Sequence, residues 1–162
     1  MAKSCLSLFP LTVFGVVEPA LLIWAYITAS QDPASFYAAQ APPFTTAASP
    51  APAQGLVLVH QLTNVYLLLA ALGAICSWTA HAQVARRYPV VVALADYGHV
   101  YACYRGVAPH VFWDPRQWND MLWGAVGVGA ALNALRWLTV FGAFGPLGGP
   151  RGPRARAGWK RA

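Results

Sequence analysis

Four apolar runs, separated by short polar segments, constrain this chain more than any other feature. Each run is about long enough to cross a hydrocarbon core as a helix, which takes roughly 17–25 residues. In lipid the backbone must satisfy its own hydrogen bonds, so such runs fold as helices. We therefore predict an all-α, polytopic membrane protein, a four-helix transmembrane bundle with its spans at residues 8–29, 56–80, 88–105 and 119–144.

The composition agrees with a membrane location. Hydrophobic residues make up 57% of the chain and charged residues 10%, whereas a soluble domain has about 25% charged residues. The net charge of +6 does not indicate nucleic-acid binding, because the cations flank the apolar runs. Cys5, Cys76 and Cys103 are dispersed without a CxxC pair, which argues against a disulfide framework and a zinc site. We expect no metal and no cofactor.

The distribution of basic residues predicts the orientation. Residues 30–55 contain no Lys or Arg, whereas Lys3, the Arg86–Arg87 pair and the tail 146–162 are basic. Basic segments favour the cytosolic side, so we predict cytosolic termini, with Arg105 and Arg116 as exceptions. Residues 1–145 would form one transmembrane domain. The tail would be a disordered segment in contact with anionic lipid.

The first apolar run has a second interpretation, as a signal peptide. Lys3 precedes it, and Thr28-Ala29-Ser30 is a passable cleavage site. A retained span is favoured, because Glu18 and Pro19 interrupt the run. Pro19 has no N–H to donate, so it should kink the helix and leave the Gly15 carbonyl without a partner.

Ionisable and amide side chains interrupt three of the runs at similar depth. Asp96 and His99 lie within the third run, Glu18 within the first and Asn64 within the second. An aspartate at the centre of a membrane helix costs roughly 2.5–3.5 kcal/mol on insertion scales, and such groups commonly mark a functional site. Counting residues from each membrane surface predicts that these four side chains converge on one layer.

This layer suggests acid–base chemistry on a lipophilic substrate. Asp96 or Glu18 would be the general acid, and His99, three residues after Asp96 on the same helical face, would orient it or return the proton. Aromatic faces can stabilise a cationic intermediate. The predicted catalytic residues are thus Asp96, His99 and Glu18, and the predicted substrate-binding residues are Asn64, Gln61, His60, Trp123, Tyr97 and Tyr101.

Three other interpretations stay open. In the first, the polar residues only hydrogen-bond across the bundle and fix the helix register. In the second, Asp96, His99 and Glu18 ligate a metal, and in the third the layer conducts ions or protons. Trp78 and Arg136 lie near the ends of their runs, which predicts an interfacial belt for the tryptophan and a snorkelling side chain for the arginine. Small residues four apart in the fourth run suggest close helix packing: Gly127 with Ala131, and Ala125 with Gly129.

Several segments resemble a family of small fungal integral membrane proteins catalogued as a domain of unknown function. They are LFPLTVFGVVEP, QLTNVYLLLA, ALADYGHVY and the stretch from Trp118 to Gly124. The resemblance runs from Lys3 to about Gly145 and implies four spans. Some relatives lie in gene clusters for secondary metabolites, which implies a role in biosynthesis. A looser similarity, at the level of fold, extends to membrane-embedded meroterpenoid cyclases and sterol isomerases.

The sequence and the resemblance together suggest a component of lipophilic natural-product biosynthesis. One hypothesis is a non-redox cyclase or isomerase. The alternative is a non-enzymatic scaffold or partner subunit, whose buried polar residues only hold the helices together and whose small-residue face on the fourth helix contacts a partner. The expected location is the endoplasmic reticulum membrane. The expected partners are membrane lipids, a lipophilic small molecule and a biosynthetic enzyme, with no nucleic acid.

Overall fold

Helices form the described part of the chain, which comprises residues 4–41, 51–145 and 147 of the computed structural model. Within these residues there are four long helices, some short helical turns and no strand. We label the helices α1 (Leu8–Gln31), α2 (Pro33–Ala38), α3 (Ala53–Ser77), α4 (Ala82–Gly106), α5 (Pro109–Phe112) and α6 (Asp120–Val140). The predicted all-helical class is confirmed, while Lys3 and nearly all of the predicted tail lie outside the described residues.

The long helices pack as two pairs, α1 on α3 and α4 on α6. Two layers of contacts fix which helix ends lie together. At one end Ser4 Oγ donates to the Ser77 carbonyl and Phe9 packs on Phe144. At the other end Asn119 Nδ2 donates to the Ala39 carbonyl at 2.9 Å. The helices therefore alternate in direction, and the described residues nearest the two termini share one end of the bundle.

Three of the four long helices, α1, α3 and α6, are long and apolar enough to cross a membrane. Most of their large apolar side chains point outward and are exposed, as lipid contact would require. Helix α4 is equally long, with 25 residues, but it carries Arg86, Arg87, Asp96 and Arg105. Three of the predicted spans thus correspond to helices of the necessary length and composition.

Helix α4 also begins earlier than the third apolar run. The run predicts a helix start at about residue 88, with Pro89 in its first turn. That prediction is wrong, because the helix begins at Ala82 and Pro89 lies inside it, buried. The two arginines therefore belong to the first turns of α4 and do not form part of a loop.

Helix α1 changes its winding just before the glutamate. Val13–Val17 form a π-helical segment, in which the Glu18 N–H bonds to the Val13 carbonyl. Pro19 offers no N–H to the Gly15 carbonyl, but this carbonyl is not left unpaired, because Trp78 Nε1 donates to it at 3.1 Å. The indole of Trp78 therefore serves as a hydrogen-bond donor to the backbone of α1, a role that the sequence does not indicate.

Candidate functional site: a buried arginine between two carboxylates

Arg136 lies at the centre of the described polar core. Its Nη1 donates to Asp96 Oδ2 at 2.7 Å, and its Nη2 pairs with Glu18 Oε1. The arginine side chain is only 3% exposed, and the side chains of Glu18 and Asp96 are 12% and 19% exposed. We call Glu18, Asp96 and Arg136 the ionic triad.

The triad joins helices that otherwise belong to different pairs. Glu18 comes from α1, Asp96 from α4 and Arg136 from α6. Since α1 packs mainly on α3, and α4 packs mainly on α6, the guanidinium group ties one helix pair to the other. The planar guanidinium holds its N–H donors in a fixed fork, so two of its nitrogens can each donate to a different carboxylate.

Two neighbouring side chains hold the triad in place. Asn133, one turn before the arginine, donates through Nδ2 to Asp96 Oδ2 at 3.2 Å and to the Ala93 carbonyl at 2.7 Å. Phe14, from the π-helical segment, lies with its ring centroid 5.4 Å from Arg136 Cζ. The altered winding of α1 thus brings an aromatic face to the cation just before it supplies the carboxylate, an arrangement that stabilises a desolvated guanidinium.

The snorkelling prediction for Arg136 is wrong. Arg136 lies one turn from the end of α6, where a long side chain can reach the interface, yet its side chain turns into the bundle and is buried. The physical reason is the pair of carboxylates, because a buried charge is tolerated only when it is paired and hydrogen-bonded. The signal in the sequence was the spacing of Asn133 and Arg136, three apart and therefore on one helical face.

Asp96 and His99, expected to interact, are not brought together. Asp96 faces α6 and its Oδ2 accepts from Arg136 and Asn133. His99 is exposed, and within the described part of the chain its imidazole makes no hydrogen bond. Of the three predicted catalytic residues, the structure joins Glu18 and Asp96 through the arginine and leaves His99 on the outer surface.

The predicted substrate-binding residues also lie away from the triad, on outward-facing surfaces. Tyr97 accepts a hydrogen bond from Trp137 Nε1 at 2.9 Å, and Tyr101 accepts one from Arg105. Trp123 packs on Trp118, with ring centroids 5.0 Å apart. All six residues are exposed: His60, Gln61, Asn64, Tyr97, Tyr101 and Trp123.

Two open surface concavities of the described residues lie along the first turns of α4, around Gln83, Arg87 and Val91. Neither is lined by Glu18, Asp96 or His99. Within residues 4–41 and 51–145, no three His, Cys, Asp or Glu side chains are grouped as metal ligands would be.

This geometry limits the chemistry of the two carboxylates. Each is hydrogen-bonded to the guanidinium of Arg136, and a carboxyl group must be able to release its proton toward a substrate to act as a general acid. The triad can fix the positions of three helices without any rearrangement. Acid–base chemistry would have to use the carboxyl oxygens that the guanidinium does not bind, Asp96 Oδ1 and Glu18 Oε2.

Comparison with protein families identifies the chain. Residues 3–146 match the model of a family described as Domain of unknown function (DUF7704), and the chain belongs to that family. Comparisons with curated proteins and with solved structures give no significant match. The family assignment thus confirms the resemblance to a domain of unknown function and carries no activity with it.

Proposed function

We propose that this protein is a multi-pass membrane scaffold or partner subunit, and that its ionic triad stabilises the helix bundle without taking part in catalysis. The observation that carries the proposal is the engagement of both carboxylates by Arg136. The single guanidinium of Arg136 binds one oxygen of each carboxylate, Glu18 Oε1 and Asp96 Oδ2, and so holds three helices together. Both carboxylates are therefore engaged in a contact between helices, which favours a structural role.

The proposed topology has four spans, with both termini in the cytosol. Helix α4 would be the fourth membrane-crossing helix, because its Asp96 is compensated by a cation of α6 and its Arg86 and Arg87 lie in its first turns, where they reach the interface. The shared end of the bundle supports this arrangement, since Ser4 meets Ser77 there. The membrane would be that of the endoplasmic reticulum.

The proposed partner is a biosynthetic enzyme for lipophilic metabolites. The small residues of α6 are the suggested contact surface, but they differ in what surrounds them. A Cβ added at Gly127 would lie 2.7 Å from the ring of Trp123, so this glycine is already covered, whereas a Cβ at Gly124 or Gly129 would meet nothing within 4 Å. Gly124 and Gly129 are therefore the positions at which a partner helix could approach the backbone of α6 closely.

The competing hypothesis, a non-redox cyclase or isomerase, requires His99 and either Asp96 or Glu18 to exchange a proton with a substrate, so Glu18→Gln is tested beside the following two variants. The deciding experiment uses a strain that lacks the gene and shows an altered metabolite profile. Asp96→Asn keeps a side chain that accepts from Arg136 but cannot release a proton, and His99→Ala removes the base. A scaffold predicts that all three variants restore the profile whenever the protein accumulates to its normal level.

Loss of the metabolites with normal protein levels in any of these variants would overturn the scaffold proposal in favour of catalysis. The matched control is Tyr104→Phe, which removes an exposed hydroxyl group on the same helix outside the predicted site and should restore the profile under both hypotheses. The topology is tested separately, by labelling single cysteines introduced at Gln40 and Arg86 from the two sides of sealed vesicles. Labelling of both positions from the same side would refute alternating spans.

A further inference from the structure

Helix α3 has one face packed against the protein and an opposite face that none of the described residues covers. The packed face includes Val59, Thr63 and Ala70, which are buried. Successive residues of an α-helix turn by about 100°, which places a second row on the other side. This row, which we call the α3 seam, consists of Val57, Gln61, Asn64, Leu68, Ala71 and Ile75, all exposed.

The spacing within the seam alternates between four and three residues along its whole length. This is the heptad pattern of helices that wrap around each other with a left-handed supercoil. The apolar members project freely, with Val57, Leu68 and Ile75 exposed by 55%, 57% and 70%. Lipid contact alone explains exposed apolar residues, so the polar members decide what covers the seam.

Gln61 and Asn64 are the seam's polar members, and they lie well inside a helix of 25 residues. Helix α3 contains no Asp, Glu, Lys or Arg. Within the described residues neither amide side chain makes a hydrogen bond, whereas the side-chain amides of Asn119 and Asn133 do. Hydrocarbon offers no donor or acceptor, so an amide on this surface is satisfied by another membrane helix.

We infer that the α3 seam binds the same seam of a second copy of this chain, which gives a parallel dimer with a twofold axis along the membrane normal. A carboxamide carries both donors and an acceptor, so it can pair with its own copy. A twofold axis places each residue opposite itself or a near neighbour, which brings Asn64 and Gln61 of both copies together. Because α3 contains no Asp, Glu, Lys or Arg, it offers no opposite charge to an ion or to a charged partner.

The inference requires only that α3 lies in a bilayer, and it is independent of the scaffold role and of the triad. The seam points away from α1, so that dimer formation leaves the contact of α1 with α3 unchanged. In coiled coils a polar residue within an otherwise apolar seam fixes register and the number of strands. Here Gln61 and Asn64, which are neighbours on the α3 seam, would fix the register of the two helices and limit the assembly to two copies.

Cysteine cross-linking of the full-length protein in phospholipid nanodiscs tests the register. Cys5, Cys76 and Cys103 are first replaced by Ser or Ala, and single cysteines are then placed along α3. Copper phenanthroline should link copies through Asn64→Cys, Leu68→Cys and Ile75→Cys. The matched controls Leu62→Cys and Leu69→Cys lie off the seam and should not link. Cross-linking without this periodicity, or stronger at the controls, would overturn the inference.

Substitution of the amides tests their role. The dissociation constant of the dimer, measured by energy transfer between labelled copies in vesicles at varied protein-to-lipid ratio, should rise about tenfold for Asn64→Leu. Asn64→Gln should restore much of the affinity, since it keeps the carboxamide. A purified chain that stays monomeric at all ratios, or Asn64→Leu that associates as tightly as the parent, refutes self-association. Each variant is also tested for resistance to alkaline extraction from the membrane. Extraction of the parent protein would show that α3 does not lie in the bilayer and would equally refute the inference.

Discussion

Replacement of Arg136 by methionine should be among the most destabilising single changes in this protein. The side chain is 3% exposed and donates one hydrogen bond to each of two carboxylates. Methionine keeps the length of the stem and removes the cation. Removal of one partner from a buried ion pair costs about 3–5 kcal/mol, because an uncompensated charge remains. Here two carboxylates remain, so we expect the upper half of that range.

Two further variants separate the charge from its geometry. Arg136→Lys retains a cation but offers a compact ammonium group that cannot address both carboxylates as a planar fork does, so we expect an intermediate loss. Arg105→Met is the matched control. Arg105 is exposed, and among the described residues its side chain donates only to the exposed Tyr101 hydroxyl, at 3.2 Å. Surface substitutions of this kind usually change stability by less than about 0.5 kcal/mol.

The assay is reversible unfolding in mixed micelles of increasing denaturing-detergent content, followed by tryptophan fluorescence and circular dichroism. A loss below about 1 kcal/mol for Arg136→Met would refute the assignment of a compensated buried charge. The triple variant Glu18→Gln, Asp96→Asn, Arg136→Met gives an independent check. Because all three charges disappear together, it should recover most of the lost stability, as buried ion pairs replaced by neutral groups often do.

Three smaller changes test other contacts. Trp78→Phe removes the donor to the Gly15 carbonyl and should cost about 1 kcal/mol, whereas Trp113→Phe, at a position 74% exposed, should cost almost nothing. Asn119→Ala loses both the cap on the Leu122 N–H and the hydrogen bond to the Ala39 carbonyl. In the same assay its loss of unfolding free energy should therefore exceed the roughly 1 kcal/mol that a cap alone contributes, and Asn119→Asp, which keeps the cap, should lose less. Hydrogen bonds from the Gln117 side chain and the Arg116 N–H hold the pKa of Asp114 below its ordinary 3.8. The stabilising effect of the ionised Asp114 carboxylate is therefore fully present above pH 3.8 and is lost as the pH falls through the lower pKa of the folded state. Asp114→Asn should remove this pH dependence from the measured unfolding free energy.

Hydropathy predicts helices well in this chain, since length and composition are summed over many residues. The runs at 8–29, 56–80 and 119–144 correspond to α1, α3 and α6. The boundary of α4 was less predictable, because Arg86 and Arg87 mark the end of the apolar run but not the end of the helix. Charged residues limit how deep a helix can lie in lipid, and they do not prevent the helix from continuing into water.

The sequence predicts the depth of each polar residue in the candidate site but not the direction in which its side chain points, because these two properties are independent. Counting residues gives the depth of Glu18, Asn64, Asp96 and His99 along their helices. It does not give the side of the helix that each one occupies, which packing decides. Glu18 and Asp96 turn toward Arg136, while Asn64 and His99 turn outward. The inward direction of the Arg136 side chain was not predictable, because a position near a helix end admits both an inward and an outward side chain.

The polar residues of the membrane helices thus divide into two sets with different effects. The inner set, around Arg136, is paired within one copy and governs whether the bundle folds. The outer set includes Gln61 and Asn64 of the α3 seam, which are unpaired within the described residues and, in our inference, govern association. Since the seam lies opposite the packed face of α3, the two sets share no partner, and distant substitutions are additive to within about 0.5 kcal/mol. Asn64→Leu should therefore leave the unfolding free energy of the monomer unchanged, and Arg136→Met combined with it should cost no more than Arg136→Met alone. A larger loss in the double variant would mean that the outer amides also stabilise the fold of a single copy.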